Sequence, residues 1–301
     1  MFGIYFGNYL QNKGVISREQ HREILEEIKS ARLKMGLLAV VNEMMTEAQA
    51  EQVNQLQQMQ DRRFGDIAIE KGYLTQEQVE ALLKQQGDQY LLYVQALTEH
   101  GYLTLEAIQS ELNAYKKEER LSALDLDCIK SSDLDKIVQV FLKEPSIPPI
   151  VKDYIALMAR NMIRFIDTDL RLEQAVKINS VSLPFVSSQE LEGDFHFFVG
   201  LSGDKDAALT VASAFAKEEF EIVDEDSLDS ICEFINCNNG LYASKLSEED
   251  IFVELMPPIM YTSATKIQTE GAMYKVPMYV SGKKLELIIC LEAKWKITST
   301  I

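Results

Sequence analysis

Over residues 1–118 the apolar and polar positions of this 301-residue chain return with a fixed spacing of 29. Gly7, Gly36 and Gly65 share one register, and Ser17, Thr46, Thr75 and Thr104 share another. Gly14, Gly72 and Gly101 keep a third, with Glu43 in the remaining place. Such periodicity predicts four copies of one supersecondary unit. Each reads as a short helix, a left-handed turn at the second Gly, an apolar pair, and a Ser/Thr N-cap opening a longer helix. Ser17-x-x-Gln20 and Thr75-x-x-Gln78 have the form of capping boxes.

Beyond residue 149 the pattern mixes two periods. A helical run over 150–166 precedes the alternating stretch Val176–Leu183, a strand stopped by Pro184, and a second strand over Phe195–Leu201. Ala207–Phe215 predicts a helix of small residues, Phe252–Leu255 a short strand, and Val276–Val280 with Leu285–Leu291 a hairpin about Ser281-Gly282. The expected fold is an α-helical repeat domain of four 29-residue helix-turn-helix-like units plus an α+β domain, an antiparallel sheet carrying long helices. The expected boundaries are 1–118 for the repeats, 119–149 for a connector with a helix candidate at Leu134–Leu142, and 150–301 for the α+β domain.

The stretch after Asp224-Glu-Asp226 carries the chemistry. At about 100° per residue, with Leu228 as zero, Ile231, Cys232, Ile235, Tyr242 and Leu246 fall within about 60° and form a buried face. Asp229, Glu233, Asn236 and Gly240 fall between about 80° and 140°, a separate stripe along its edge. Gly240 lacks a side chain, so a partner's backbone has room there. A Glu-x-x-Asn alone is an ordinary solvated helix face; here it comes with an acidic helix start, Gly240 past the Asn, and Pro257-Pro258 after a polar turn.

This ensemble resembles the CheC/CheX/FliY family of chemotaxis phosphatases. In that family the pattern is Asp or Ser, three residues, Glu, two residues, Asn, then a little over twenty residues and a Pro. Asp229, Glu233, Asn236 and Pro257-Pro258 fill those places, and the likeness extends over 150–291. The resemblance implies hydrolysis of the aspartyl phosphate of a CheY-like response-regulator receiver. Asn236 would position the attacking water through its carboxamide oxygen or its NH2 group, and Glu233 would anchor the receiver's phosphate-site lysine. Asp229, Gly240, Pro257 and Pro258 would meet the partner. The Mg2+ of that reaction belongs to the receiver, and no cofactor is expected on this chain. Family members with two sites repeat Glu-x-x-Asn on their first long helix. Here the matching register reads Asp153, Leu157 and Arg160, which implies one site per chain, as in CheX, and leaves Asn161 as a cap or surface residue. Homodimerisation is implied by the resemblance alone.

The first-half repeats resemble the amino-terminal domain of type II secretion ATPases such as GspE, including the related MshEN domain that binds cyclic di-GMP. Arg63, Phe64, Gly65, Ala68, Gly72, Val79, Leu83 and Gln86 fill that family's ligand motif, and Arg63, Gly65, Gly72 and Gln86 are the candidate nucleotide contacts. The other units depart from the motif: Tyr5 and Leu92 stand where Arg is expected, and Glu43 where Gly is. Cyclic di-GMP sensing, protein docking and plain spacing all remain open uses for the array. A non-catalytic receiver-binding or cyclic di-GMP-sensing adaptor is the alternative to an enzyme.

Composition narrows the rest. A net charge of −17 and the lack of a basic recognition face argue against nucleic acid. No Gly-x-x-x-x-Gly-Lys loop is present, which disfavours nucleotide hydrolysis. The three histidines, His21, His100 and His196, show no ligand spacing, so no metal is expected. His196 reads as a polar-face side chain without a visible partner. Four cysteines without a paired framework, no leader-like start and no apolar segment of about 20 residues make a soluble, cytoplasmic protein without membrane insertion the expectation.

Overall fold

Backbone conformation marks the 29-residue spacing directly. Gly14, Glu43, Gly72 and Gly101 all adopt the left-handed region, with φ of 73°, 56°, 70° and 68°. In the computed structural model, which describes residues 1–28, 33–60, 63–84, 88–144, 146–292 and 294–299, each of these turns separates two helices. The pairs are α1 (Phe2–Asn12) with α2 (Arg18–Glu27), α3 (Met35–Val41) with α4 (Glu47–Gln60), α5 (Phe64–Glu70) with α6 (Gln76–Lys84), and α7 (Gln89–Glu99) with α8 (Leu105–Glu118). Ser17, Thr46, Thr75 and Thr104 accept the backbone N–H of Gln20, Gln49, Gln78 and Ala107 on their hydroxyls. The first three are full capping boxes, because each glutamine's carbonyl oxygen accepts the cap residue's own N–H.

The glycines of the first register serve a second purpose. A Cβ at Gly7 would run into His21, and one at Gly65 into Val79, the residue fourteen positions on in both cases. The small residue lets the first helix of a pair close on the second. With α9 (Ala123–Lys130) these helices make one compact unit, Met1–Ser132, whose core includes the aromatic cluster Phe2, Phe6, Tyr9, Tyr90, Tyr93 and Tyr115.

Glu43 is the odd member of the turn series, since a side chain in the left-handed region costs about 1–2 kcal/mol that glycine avoids. Glycine in turn loses more freedom on folding. Glu43→Gly is therefore expected to stabilise the helical unit by about 0.5–1 kcal/mol, measured as a higher urea midpoint at unchanged slope.

The second compact unit spans Asp133–Ile301. It contains α10 (Leu134–Phe141), α11 (Pro149–Phe165), β1 (Leu170–Leu172), β2 (Val176–Leu183), β3 (Val186–Gly193), β4 (Phe197–Gly203), α12 (Lys205–Ala216), α13 (Glu225–Glu248), β5 (Val253–Leu255), β6 (Ile259–Tyr261), β7 (Thr265–Val280), β8 (Lys283–Leu291) and β9 (Trp295–Ser299). All strand pairs are antiparallel, in the order β1-β7-β8-β4-β3-β5, with β2 and β9 also on β7 and β6 on β3. Ser281 and Gly282, both at positive φ, close the β7–β8 hairpin as a two-residue turn.

Helices cover one face of the sheet. Tyr154, Ile155 and Met158 of α11, Val211 of α12 and Phe234, Ile235 and Tyr242 of α13 meet Phe197, Val199, Leu201 and Leu287 in the main core. The opposite face is covered too, by the far part of β7 with β2 and β9. Val181, Val186, Phe198, Ile267, Met273, Ile288 and Cys290 form a smaller core there. Burial on both faces explains why β4 reads as a continuous apolar run rather than an alternation.

Candidate functional site

Helix α13 starts where Asp224 accepts the N–H of Ser227 at 3.0 Å while the Ser227 hydroxyl accepts the N–H of Asp224 at 2.8 Å. Glu225 and Asp226 in the first turn and Lys245 in the last complement the helix dipole. Ile231, Cys232, Ile235, Tyr242 and Leu246 are buried, as their shared face predicts. Asp229 and Glu233 are exposed, Asn236 and Gly240 are half-buried, and nothing lies within 4 Å of where a Gly240 Cβ would stand. The stripe thus forms an open edge of the helix with a carboxylate and a carboxamide one turn apart.

Asn236 differs from its neighbours on the stripe because its inner end is held. Its Oδ1 accepts a hydrogen bond from Gln189 Nε2 at 2.8 Å, and the same Nε2 donates to the main-chain carbonyl of Met256, also at 2.8 Å. Gln189 Oε1 accepts from Asn239 Nδ2 at 2.8 Å, and Asn239 Oδ1 accepts from the Tyr154 hydroxyl at 2.6 Å. Gln189 is 2% exposed and Asn239 and Tyr154 are 0% exposed, so this relay runs inside the unit. It joins α11, α13, β3 and the segment carrying Pro257 and Pro258. Pro257 is exposed and Pro258 half-buried, and the backbone N–H of Met256 donates to Glu190 O at 2.9 Å. The structure therefore ties Asn236 to the Pro257 segment through one buried side chain.

None of Gln189, Asn239 and Tyr154 was expected as a site residue. Val186–Gly193 contains Ser-Ser-Gln-Glu and lacks the alternation that marks a strand, yet it is β3, paired with β4 on one side and with β5 and β6 on the other. Its buried polar groups are satisfied by neighbours far along the chain: Ser187 Oγ donates to Leu228 O and Ser188 Oγ to Ile259 O. Asn161 corrects its expected surface place. It is 3% exposed and donates to Asn238 Oδ1 at 2.7 Å across the α11–α13 contact. Two residues of the matching register on α11 are engaged elsewhere, Asp153 with Lys245 and Arg160 with Asp135.

The unit offers no activated thiol on this helix at Cys232, since burial above all pushes that thiol up. His196 does have partners. Its Nε2 lies 3.1 Å from Glu190 Oε2 and 3.6 Å from Glu192 Oε1, and its ring packs on Trp295. Among the described residues, Glu190, Glu192 and His196 are the group whose ligand atoms lie close enough, within 4.8 Å, to share a metal ion. Successive residues of a strand point to opposite faces, so Glu190 lies across the sheet from Gln189 and outside the Asn236 site.

In the helical unit, Arg63 is exposed at the N-cap of α5, Gly65 is buried against Val79, and Gly72 occupies the left-handed turn. Packing and backbone conformation account for both glycines. Gln86 lies outside the described residues. Among the described residues no helix is long and apolar enough to cross a membrane.

The model of the family described as chemotaxis phosphatase CheX matches residues 185–281, which include β3, α13 and the Pro257 segment. Similar solved structures include the chemotaxis protein CheX from Desulfovibrio desulfuricans, at 16% identity and TM-score 0.42, covering 48% of this chain and 100% of that one. The chemotaxis protein CheX from Vibrio vulnificus gives the same identity, coverage and score. A CheX–CheY–BeF3–Mg2+ complex from Borrelia burgdorferi is similar at 16% identity and TM-score 0.36, covering 48% of this chain and 97% of that one. No curated protein matches the chain.

Proposed function

We propose that the second unit hydrolyses the aspartyl phosphate of a CheY-like receiver domain, with one site per chain built on α13. The observation that carries this reading is the pairing of an exposed Glu233 with a tethered Asn236 one turn on, inside the segment similar to the CheX family. An acyl phosphate is already a reactive species, and its hydrolysis calls chiefly for a water held in line with the phosphorus. Asn236 meets that need, because Gln189 occupies its Oδ1 and turns its NH2 outward to take a lone pair of the water. The water's other lone pair stays free for attack. A docking module without chemistry has no use for a carboxamide held this way.

Glu233 supplies the anchor. It lies on the open face of the helix and pairs with the lysine beside the receiver's phosphorylated aspartate. Asp229, Gly240, Pro257 and Pro258 border the contact, and the divalent cation comes with the receiver. Asp229 and Glu233 give this edge a negative charge that suits a basic phosphate site. The first unit, read as four 29-residue helix pairs, regulates or localises the phosphatase.

The test is hydrolysis of a phosphorylated CheY-like receiver by the full chain and by Glu233→Ala. Losing a desolvated charge pair is worth about 2 kcal/mol or more, so the variant should bind the receiver at least about thirtyfold more weakly, with KM rising by that factor. Unchanged affinity would remove Glu233 from the interface.

A further inference from the structure

We infer that Gln189 is a positioning residue that fixes which end of the Asn236 carboxamide faces solvent, and that the Met256 carbonyl sets the polarity. A main-chain carbonyl can only accept. The end of Gln189 that meets Met256 O must therefore be its NH2 group, and this same Nε2 reaches Asn236 at 2.8 Å. Asn236 consequently presents Oδ1 inward and NH2 outward. Reversing Gln189 would set its Oε1 against the Met256 carbonyl and its Nε2 against Asn239 Nδ2, which places like groups face to face at both ends.

The rest of the relay points the same way. Donation runs from the Tyr154 hydroxyl to Asn239, from Asn239 to Gln189, and from Gln189 to Asn236 and Met256 at once. Each acceptor in the series is the donor to the next, an arrangement whose bonds polarise one another. Met256 is itself fixed by the bond from its N–H to Glu190 O. The orientation of the half-buried Asn236 carboxamide on α13 is thus set by Gln189 on β3 and by the residue before Pro257.

This polarity matters to chemistry. An outward NH2 donates to a water and leaves a lone pair for attack, whereas an outward Oδ1 would instead accept a water proton. The effect on turnover rests on the role proposed above for Asn236; the effect on the carboxamide itself does not.

Two variants of the full chain, Gln189→Met and Asn239→Ala, test it with two readouts. The first is the 1H–15N correlation pair of the Asn236 side chain, assigned by its disappearance in Asn236→Ala. The second is steady-state hydrolysis of a phosphorylated receiver. In Gln189→Met the pair should move toward the position of a freely rotating, solvated carboxamide, and kcat should fall about tenfold at constant KM. Asn239→Ala, which frees only the far end of Gln189, should give a smaller change of the same sign and decides the matter if Gln189→Met does not fold. An Asn236 pair that stays in place in a folded variant would overturn the inference, as would a rise in KM at unchanged kcat. A wild-type protein without turnover would instead refute the proposed function, with the correlation pair still reporting on the relay.

Discussion

Asn236→Ala is expected to slow hydrolysis of the receiver's aspartyl phosphate about a hundredfold while leaving receiver affinity close to that of wild type. The magnitude follows from geometry, since misplacing a reacting group by about 1 Å can cost a factor of 10², and the variant leaves the water without its donor. Affinity should hold because Glu233, on the next turn, keeps its exposed position. The variant separates turnover from docking in a single pair of measurements, kcat from stopped-time phosphate release and Kd from titration with unphosphorylated or phosphate-mimicking receiver. A fall in kcat together with a rise in Kd would mean that Asn236 is a contact residue rather than a water-positioning one.

The second large effect belongs to the helical unit. His21 is buried against Gly7 and the Tyr93 hydroxyl, 2.9 Å from its Nδ1. Desolvation lowers its pKa from 6.5 to about 4, so the folded unit holds a neutral imidazole where the unfolded chain holds a charged one. Between those two values the unfolded state binds more protons, and stability rises with pH. The contribution is complete above about pH 6.5 and is lost as pH falls toward about 4, a change of about 3 kcal/mol. His21→Gln should flatten that part of the stability profile, since it removes the titration and keeps a polar group near Tyr93. Urea melts followed by far-UV ellipticity measure it. Trp295, the one tryptophan of the chain, lies in the second unit, so its fluorescence follows that unit.

Much of this architecture was legible in the sequence, for identifiable reasons. A left-handed turn tolerates few residues, so Gly14, Gly72 and Gly101 announce it, and the N-cap hydroxyls repeat with it. The apolar face of α13 follows from helical spacing because Ile231, Ile235, Tyr242 and Leu246 meet the same core. The polar strand β3 was not legible. Its side chains are satisfied by partners about forty to seventy positions away, and periodicity carries no information about a buried polar residue's distant partner. Gln189 and Asn239 go unseen for that reason, and Asn161 reads as a cap or surface residue although its partner is Asn238. His196 is a similar case, because its pairing with Glu190 and Glu192 depends on the register of β3 with β4. The Glu-x-x-Asn spacing pointed to the outer surface of the site, and the fold then supplied its inner support.

The most direct measurement is the decay of a phosphorylated CheY-like receiver in the presence of a substoichiometric amount of the 301-residue chain. The account predicts that each chain clears many receivers, at a rate proportional to protein concentration and close to background in Asn236→Ala. Decay indistinguishable from that of the receiver alone would contradict it.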